Sequence, residues 1–377
     1  MANIFDYLSW RGDLSLASVP FNPVDNIIFS QLSYLPLDGI VPGPDDNSKI
    51  SITLAADIFT KKFSAGKYER FKELIFKQDP DFIKALGASN RFGNCKLFGY
   101  VNNIDTVQEK QFSCLSIITD GGGCFIVFRG TDANIVGWKE DFNMSFSDAV
   151  PAQLEAVNYL EKIAGIIKGP LRICGHSKGG NLAIYAAAFC HKKIRRRITE
   201  IYSNDAPGFN SSVIKSEGFN EIRERIHAFV PQSSVVGMLL EHRNDFSVVK
   251  SSKIGLLQHD LYSWEVTHND MVRLDDITQG SRFLDKTLRG WIEELDYEQR
   301  QRFIEALFTI LSASQAKNIN ELTHDWFKAS GRIIKSLGNI DESTRILIAK
   351  TLAALFRSGK NNIDTLLKPK SKKADIC

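Results

Sequence analysis

No stretch constrains this chain more than Leu171 to Ala188. Leu171-Arg172-Ile173-Cys174 has the composition of a short apolar strand, Gly175-His176-Ser177-Lys178-Gly179 is a tight turn, and an alanine-rich helix follows. Gly-x-Ser-x-Gly between a strand and a helix is the nucleophile-elbow pattern. A nucleophilic serine must stand at the tip of a sharp turn so that its hydroxyl projects clear of the sheet. The turn presses strand and helix so close that only hydrogen fits at 175 and 179. The helix then points its first N–H groups, beginning with that of Lys178, at a developing oxyanion. The plainer alternative is a glycine-rich turn in an α/β core. Either reading demands a sheet with parallel strands and helices packed on it.

The rest of the chain fits that demand. Asn22 is expected to cap a helix with Pro23 at its first position, where the missing N–H costs nothing. Ile27, Ile28, Gln31, Leu32 and Leu35 continue at helical spacing, and Pro36 with Pro42-Gly43-Pro44 ends the helix. Residues 50–90 alternate short amphipathic helices with polar turns. Strand composition begins at Cys95–Val101 and recurs at Phe112–Ile118, Cys124–Phe128, Ile198–Ser203 and Arg225–Val230, with an amphipathic helix at Ala152–Ile167. Adjacent strands followed by strand–helix alternation predict an α/β-hydrolase-like sheet, mixed but mainly parallel, flanked by helices.

This organisation divides the chain into a hydrolase-like domain at 1–275, with N-terminal helices over about 1–90 and the sheet core over about 95–275. A helical C-terminal extension is expected at 276–367, where Asp296-Tyr297-Glu298-Gln299 resembles a capping box. A basic, disordered tail is expected at 368–377.

With 377 residues, 43% hydrophobic and 24% charged, the chain can bury a large core, and a net charge of +3 does not point to nucleic acid. None of the six cysteines forms a CxxC pair, and several sit in strand-like runs as small core residues. No signal peptide or bilayer-spanning apolar run is visible, so a cytoplasmic protein without a transmembrane segment is expected. The oligomeric state is not legible.

A nucleophilic serine needs a base, an orienting acid and two oxyanion donors. One donor is the Lys178 N–H. The second should come from the loop after an earlier strand, and Phe128-Arg129-Gly130-Thr131 ends such a strand, with Thr131 offering its N–H. Of the seven histidines, His176 lies within the elbow and points away from the serine. His191 sits beside Lys192, Lys193 and Arg195-Arg196-Arg197, read as a solvated face. His227 is read as core and His324 belongs to the helical region, leaving His242, His259 and His268.

Phe128-Arg129-Gly130-Thr131, Trp138 with Asp141 three residues on, and Gly175-His176-Ser177-Lys178-Gly179-Gly180 together resemble the class 3, fungal-type lipases over about residues 95–265. Most of the chain, from Asn3 to Asp13 onward, is similar to a bacterial lipase-like family of unknown function within the α/β-hydrolase superfamily. The resemblance implies Ser177 as nucleophile and Thr131 with Lys178 as oxyanion donors. It favours His259 as base, in a His-x-x-Tyr setting with Tyr262, and His268 next.

The acid departs from that pattern. At the position where class 3 lipases carry an aspartate, in the stretch matching Val230-Pro231-Gln232-Ser233-Ser234, this chain has Ser234. Asp205, after the strand that follows the elbow helix, offers a replacement, and the order Ser177, Asp205, His259 agrees with α/β hydrolases. The plainer use of Asp205 is to start the Ala206-Pro207-Gly208 turn. Asp245 and Asp260 stand in reserve. Together these features predict a serine hydrolase for a small acyl ester or lipid that needs no metal or organic cofactor. The alternatives are a non-catalytic hydrolase scaffold used for binding, or a thioesterase or amidase.

Overall fold

The computed structural model describes residues 1–64, 76–105, 110–131, 144, 149–234, 236–238, 246–253 and 255–278. Among the described residues nine strands form one sheet in sequence order: β1 (Ile50–Ser51), β2 (Lys96–Asp105), β3 (Lys110–Ile118), β4 (Cys124–Phe128), β5 (Leu171–His176), β6 (Ile198–Asn204), β7 (Ile226–Pro231), β8 (Ser247–Val249) and β9 (Arg273–Leu274). β1 to β4 pair antiparallel, β4 to β8 parallel, and β9 antiparallel to β8. The mixed α/β sheet expected from the sequence is the fold, with four parallel and four antiparallel pairings among the described residues.

Helices cover both faces, and this explains why β4 is apolar throughout: alternate side chains enter two separate cores. Phe125 and Val127 pack into one core with α1 (Ile4–Arg11), α2 (Pro23–Leu32), α3 (Ile52–Ser64) and α4 (Asp79–Ala88). Ile126 and Phe128 pack into the other with α5 (Pro151–Ile166) and the elbow helix α6 (Lys178–Phe189). The caps behave as their residues dictate. Asn22 accepts from the Val24 N–H at 2.9 Å, while Asp25 reaches back to the Asn22 N–H at 2.9 Å, closing a capping box. Asp25 also takes a buried ion pair from Arg91, at 2.5 Å, which locks α2 into the layer.

Three short strands go beyond the sequence reading, and two readings need correction. β1, β8 and β9 are two or three residues long, too short for any periodicity to announce them. His227 lies at the exposed start of β7 and stacks on Tyr202 rather than entering the core. The basic cluster after α6 is only partly solvated. His191, Lys192, Lys193 and Arg196 are exposed, but Arg195 is buried on the Ala188 carbonyl and Glu221. Arg197 donates to the carbonyls of Ala164, at 2.7 Å, and Ile167, capping the end of α5.

Cys95, Cys114, Cys124, Cys174 and Cys190 are buried free thiols, and burial pushes Cys95, Cys124, Cys174 and Cys190 up to about 12. They are core residues, as expected. No helix among the described residues is long and apolar enough to cross a membrane. Trp138, Asp141, His242, Asp245 and His324 lie outside the described residues, as do the basic tail and the C-terminal extension beyond 278.

Candidate active site

At the end of β5 the chain turns into α6 through Ser177, with φ 57° and ψ −134°. A non-glycine residue at positive φ is strained and persists only when its surroundings enforce it. Here they do. The Ser177 N–H donates to the Asn204 carbonyl at 2.9 Å, and the Ser177 carbonyl accepts from Gly180 at 2.9 Å. A Cβ at Gly175 would collide with the Gly179 main chain, and one at Gly179 with the Phe128 carbonyl. The two glycines of the motif are thus where β5, α6 and β4 touch.

Gly130 brings the second loop in. A Cβ there would lie 2.8 Å from the Ser177 Cβ and would also strike the Tyr34 hydroxyl. The turn that carries Thr131 is therefore packed on the serine. Lys178 opens α6, and its side chain is buried with Nζ donating to the Gln111 carbonyl at 2.8 Å. Its ammonium is committed to β3, and its main-chain N–H opens the first turn of α6.

Asp205 and His259 meet across a long sequence separation. Asp205 Oδ2 lies 2.6 Å from His259 Nδ1, with the carboxyl side chain 1% exposed and the imidazole 26%. Asp205 follows β6 directly and has φ 44°, a left-handed conformation that aspartate tolerates better than most residues. Its other oxygen, Oδ1, accepts from the Ser234 hydroxyl and the Gly237 N–H. The His259 ring lies 4.3 Å, centroid to centroid, from that of His176, the residue before Ser177. His259 thus stands against the residue that precedes Ser177, and Ser177 itself is 6% exposed.

The other candidates go elsewhere. His268 is exposed, stacked on Trp10 at 4.8 Å. Asp260 accepts from the Tyr262 N–H at 3.0 Å and pairs with Lys253 at 2.5 Å, so it caps the short helical turn after His259. Tyr262 reaches across to Asp79 at 2.6 Å, where Gln31 of α2 also donates. That contact ties the His259 loop to the helical layer. Burial raises Asp79 to about 7, with the Tyr262 hydrogen bond opposing the rise.

One supporting set escaped the sequence reading. Asn26 and Asn204 exchange amide hydrogen bonds at 2.8 and 3.0 Å, and Asn204 Nδ2 also donates to Ser30 Oγ and the Gly175 carbonyl, both at 3.0 Å. Tyr34 Oη lies 2.7 Å from His176 Nδ1, and burial holds that imidazole well below the usual histidine range, hence neutral. Asn26, Ser30 and Tyr34 recur every four residues through α2 and just beyond it. The signal was present: a polar stripe at helical spacing within an otherwise apolar run, which a fully buried helix must pair with something.

Solved structures similar to the chain are lipases. The native Rhizomucor miehei lipase–propeptide complex aligns at 14% identity over 52% of this chain and 66% of that one, with a TM-score of 0.34. M37 lipase aligns at 14% identity over 57% and 69%, and the Lip2 lipase from Yarrowia lipolytica at 13% over 62% and 100%, each with a TM-score of 0.33. The chain thus spans just under two thirds of the first of these. No curated protein matches the sequence. Residues 86–309, more than half of the 377, match the model of a lipase-like family described as Mbeg1-like, and the chain belongs to the Mbeg1-like family.

Proposed function

We propose that this protein hydrolyses a carboxylic ester through an acyl-enzyme on Ser177. The observation that carries the reading is the 2.6 Å contact between Asp205 and His259 beside a strained strand-to-helix serine. In this reading His259 Nε2 takes the Ser177 proton as Oγ attacks the ester carbonyl. Asp205 holds the Nδ1 proton, fixing the tautomer and stabilising the imidazolium. The N–H groups of Lys178 and Thr131 hold the oxyanion. Collapse expels the alcohol, which takes its proton from His259. Water then attacks the acyl-enzyme under the same base and releases the acid. The proposed substrates are acyl esters of the esterase, lipase or lysophospholipase type, and the protein is proposed to work in the cytoplasm.

The missing carboxylate at 234 is the feature that favours a binding-only scaffold. Asp205 supplies a carboxylate to the same histidine, which supports the catalytic reading instead. A fluorophosphonate should label the wild type at Ser177 and spare Ser177→Ala. Turnover of p-nitrophenyl butyrate should fall about 10³-fold in Asp205→Asn and stay within about twofold in Asp260→Asn. A folded wild type that neither labels nor turns over the ester would refute the proposal.

A further inference from the structure

Ser234 stands where class 3 lipases carry their acid, yet it does not merely fill the gap. Asp205 is 1% exposed, and its carboxyl torsion is of the broad, roughly two-fold kind that sets no preference between its oxygens. Oδ2 faces His259 Nδ1. Oδ1 receives the Ser234 hydroxyl at 2.5 Å and the Gly237 N–H at 3.1 Å. The same Gly237 N–H also donates to Ser234 Oγ at 2.9 Å. That donation occupies a lone pair of the hydroxyl and leaves its single proton directed at Asp205. Ser234 is itself 1% exposed, and its N–H donates to the Pro231 carbonyl at 2.9 Å, so the turn after β7 is fixed before the hydroxyl acts. Because β6 and β7 are parallel neighbours, pairing Asn204 with Phe229, their ends lie side by side and one can serve the other.

We propose that Ser234, with the Gly237 N–H, is a positioning residue: it pins Oδ1 of Asp205 so that Oδ2 is held on His259. The inference rests on Asp205 and His259 being the acid and base of the proposed hydrolase. The carboxylate stands at the end of β6, and Ser234, in the turn after the neighbouring β7, is its hydrogen-bond donor.

The test uses the purified full chain with Ser234→Ala, Ser234→Thr, Ser234→Cys, Asp205→Asn and the double variant Asp205→Asn/Ser234→Ala. Hydrolysis of p-nitrophenyl butyrate and the low-field proton resonance of the His259–Asp205 hydrogen bond are the readouts. Ser234→Ala should lower kcat about tenfold, the loss of one hydrogen bond to a charged group, with KM within about twofold, and should shift the resonance. Threonine should restore both, and cysteine, a weak donor of similar size, should fall between. In the Asp205→Asn background the alanine change should cost nothing more. Wild-type kcat and an unmoved resonance in a folded Ser234→Ala would overturn the proposal, as would an equal loss in the Asp205→Asn background. If the alanine variant does not fold, Ser234→Cys carries the same comparison, and wild-type behaviour there overturns it. If the wild type proves inert to ester and fluorophosphonate, the hydrolase reading fails separately. A resonance abolished by Asp205→Asn and shifted by Ser234→Ala would still uphold the positioning role, and an unshifted one would end it.

Discussion

The elbow and the Asp205–His259 pair sit side by side but are built in opposite ways. Ser177 is held by its own neighbours in sequence: Gly175 and Gly179 let β5, α6 and β4 touch, and the turn itself carries the strain. Asp205 and His259 are 54 positions apart and meet only because β6 and the loop after β8 end at the same edge of the sheet. A nucleophile needs a particular backbone, whereas an orienting acid needs only a carboxylate within reach. The first requirement is local and restricts residue types. The second can be met from any nearby strand end, so the acid proposed for this site can stand at 205 with a serine at 234.

Substituting the serine sharpens this contrast most. Ser177→Gly keeps the positive φ that glycine adopts freely, so it should lose about 10⁴-fold or more of ester turnover while gaining roughly 0.5–1 kcal/mol of stability. Denaturant unfolding that shows the variant to be less stable would mean that the elbow carries no strain.

On the other side of the comparison, the His259 loop is tied down by Asp79 through Tyr262. Burial raises Asp79 from its ordinary 3.8 to about 7, so the folded state binds this proton more tightly than the unfolded chain does. Its contribution to stability is therefore largest at the acid end of that window and is lost as pH rises through about 7. The expected loss between pH 4 and pH 8 is on the order of 4 kcal/mol. Asp79→Asn should flatten that slope in unfolding experiments at several pH values; an unchanged slope would exclude Asp79 as its source.

The smallest effect is expected where the two halves join. Asn204 accepts from the Ser177 N–H through its carbonyl, bonds Asn26, Ser30 and Gly175 through its amide, and directly precedes Asp205. Asn204→Ala leaves buried partners unpaired and should cost about 2 kcal/mol. Because elbow and acid both shift, the rate of fluorophosphonate labelling should fall with it. Loss of stability at an unchanged labelling rate would separate Asn204 from the site.

Much of the fold was legible because its periods are strong. The limits of β4 were read residue for residue, and Asn22-Pro23 announced α2 through capping chemistry that needs only four residues. His227 was misread because strand composition says which residues pair, not which end of the strand reaches solvent. Arg195 and Arg197 were misread because their partners, the ends of α6 and α5, come close only after the helices pack. Asp205 was one of several aspartates, and nothing local distinguishes a carboxylate that starts a turn from one that also faces a histidine.

By itself, then, the sequence determined the alternation of strands and helices, the caps, and the serine at the elbow, because each follows from steric and hydrogen-bonding demands within a few residues. The tertiary structure alone decided that Asp205, rather than Asp260, faces His259, that Ser234 donates to it, and that the polar stripe of α2 underlies the elbow. Those contacts join residues from 29 to 178 positions apart, brought together by sheet order and the packing of two helical layers.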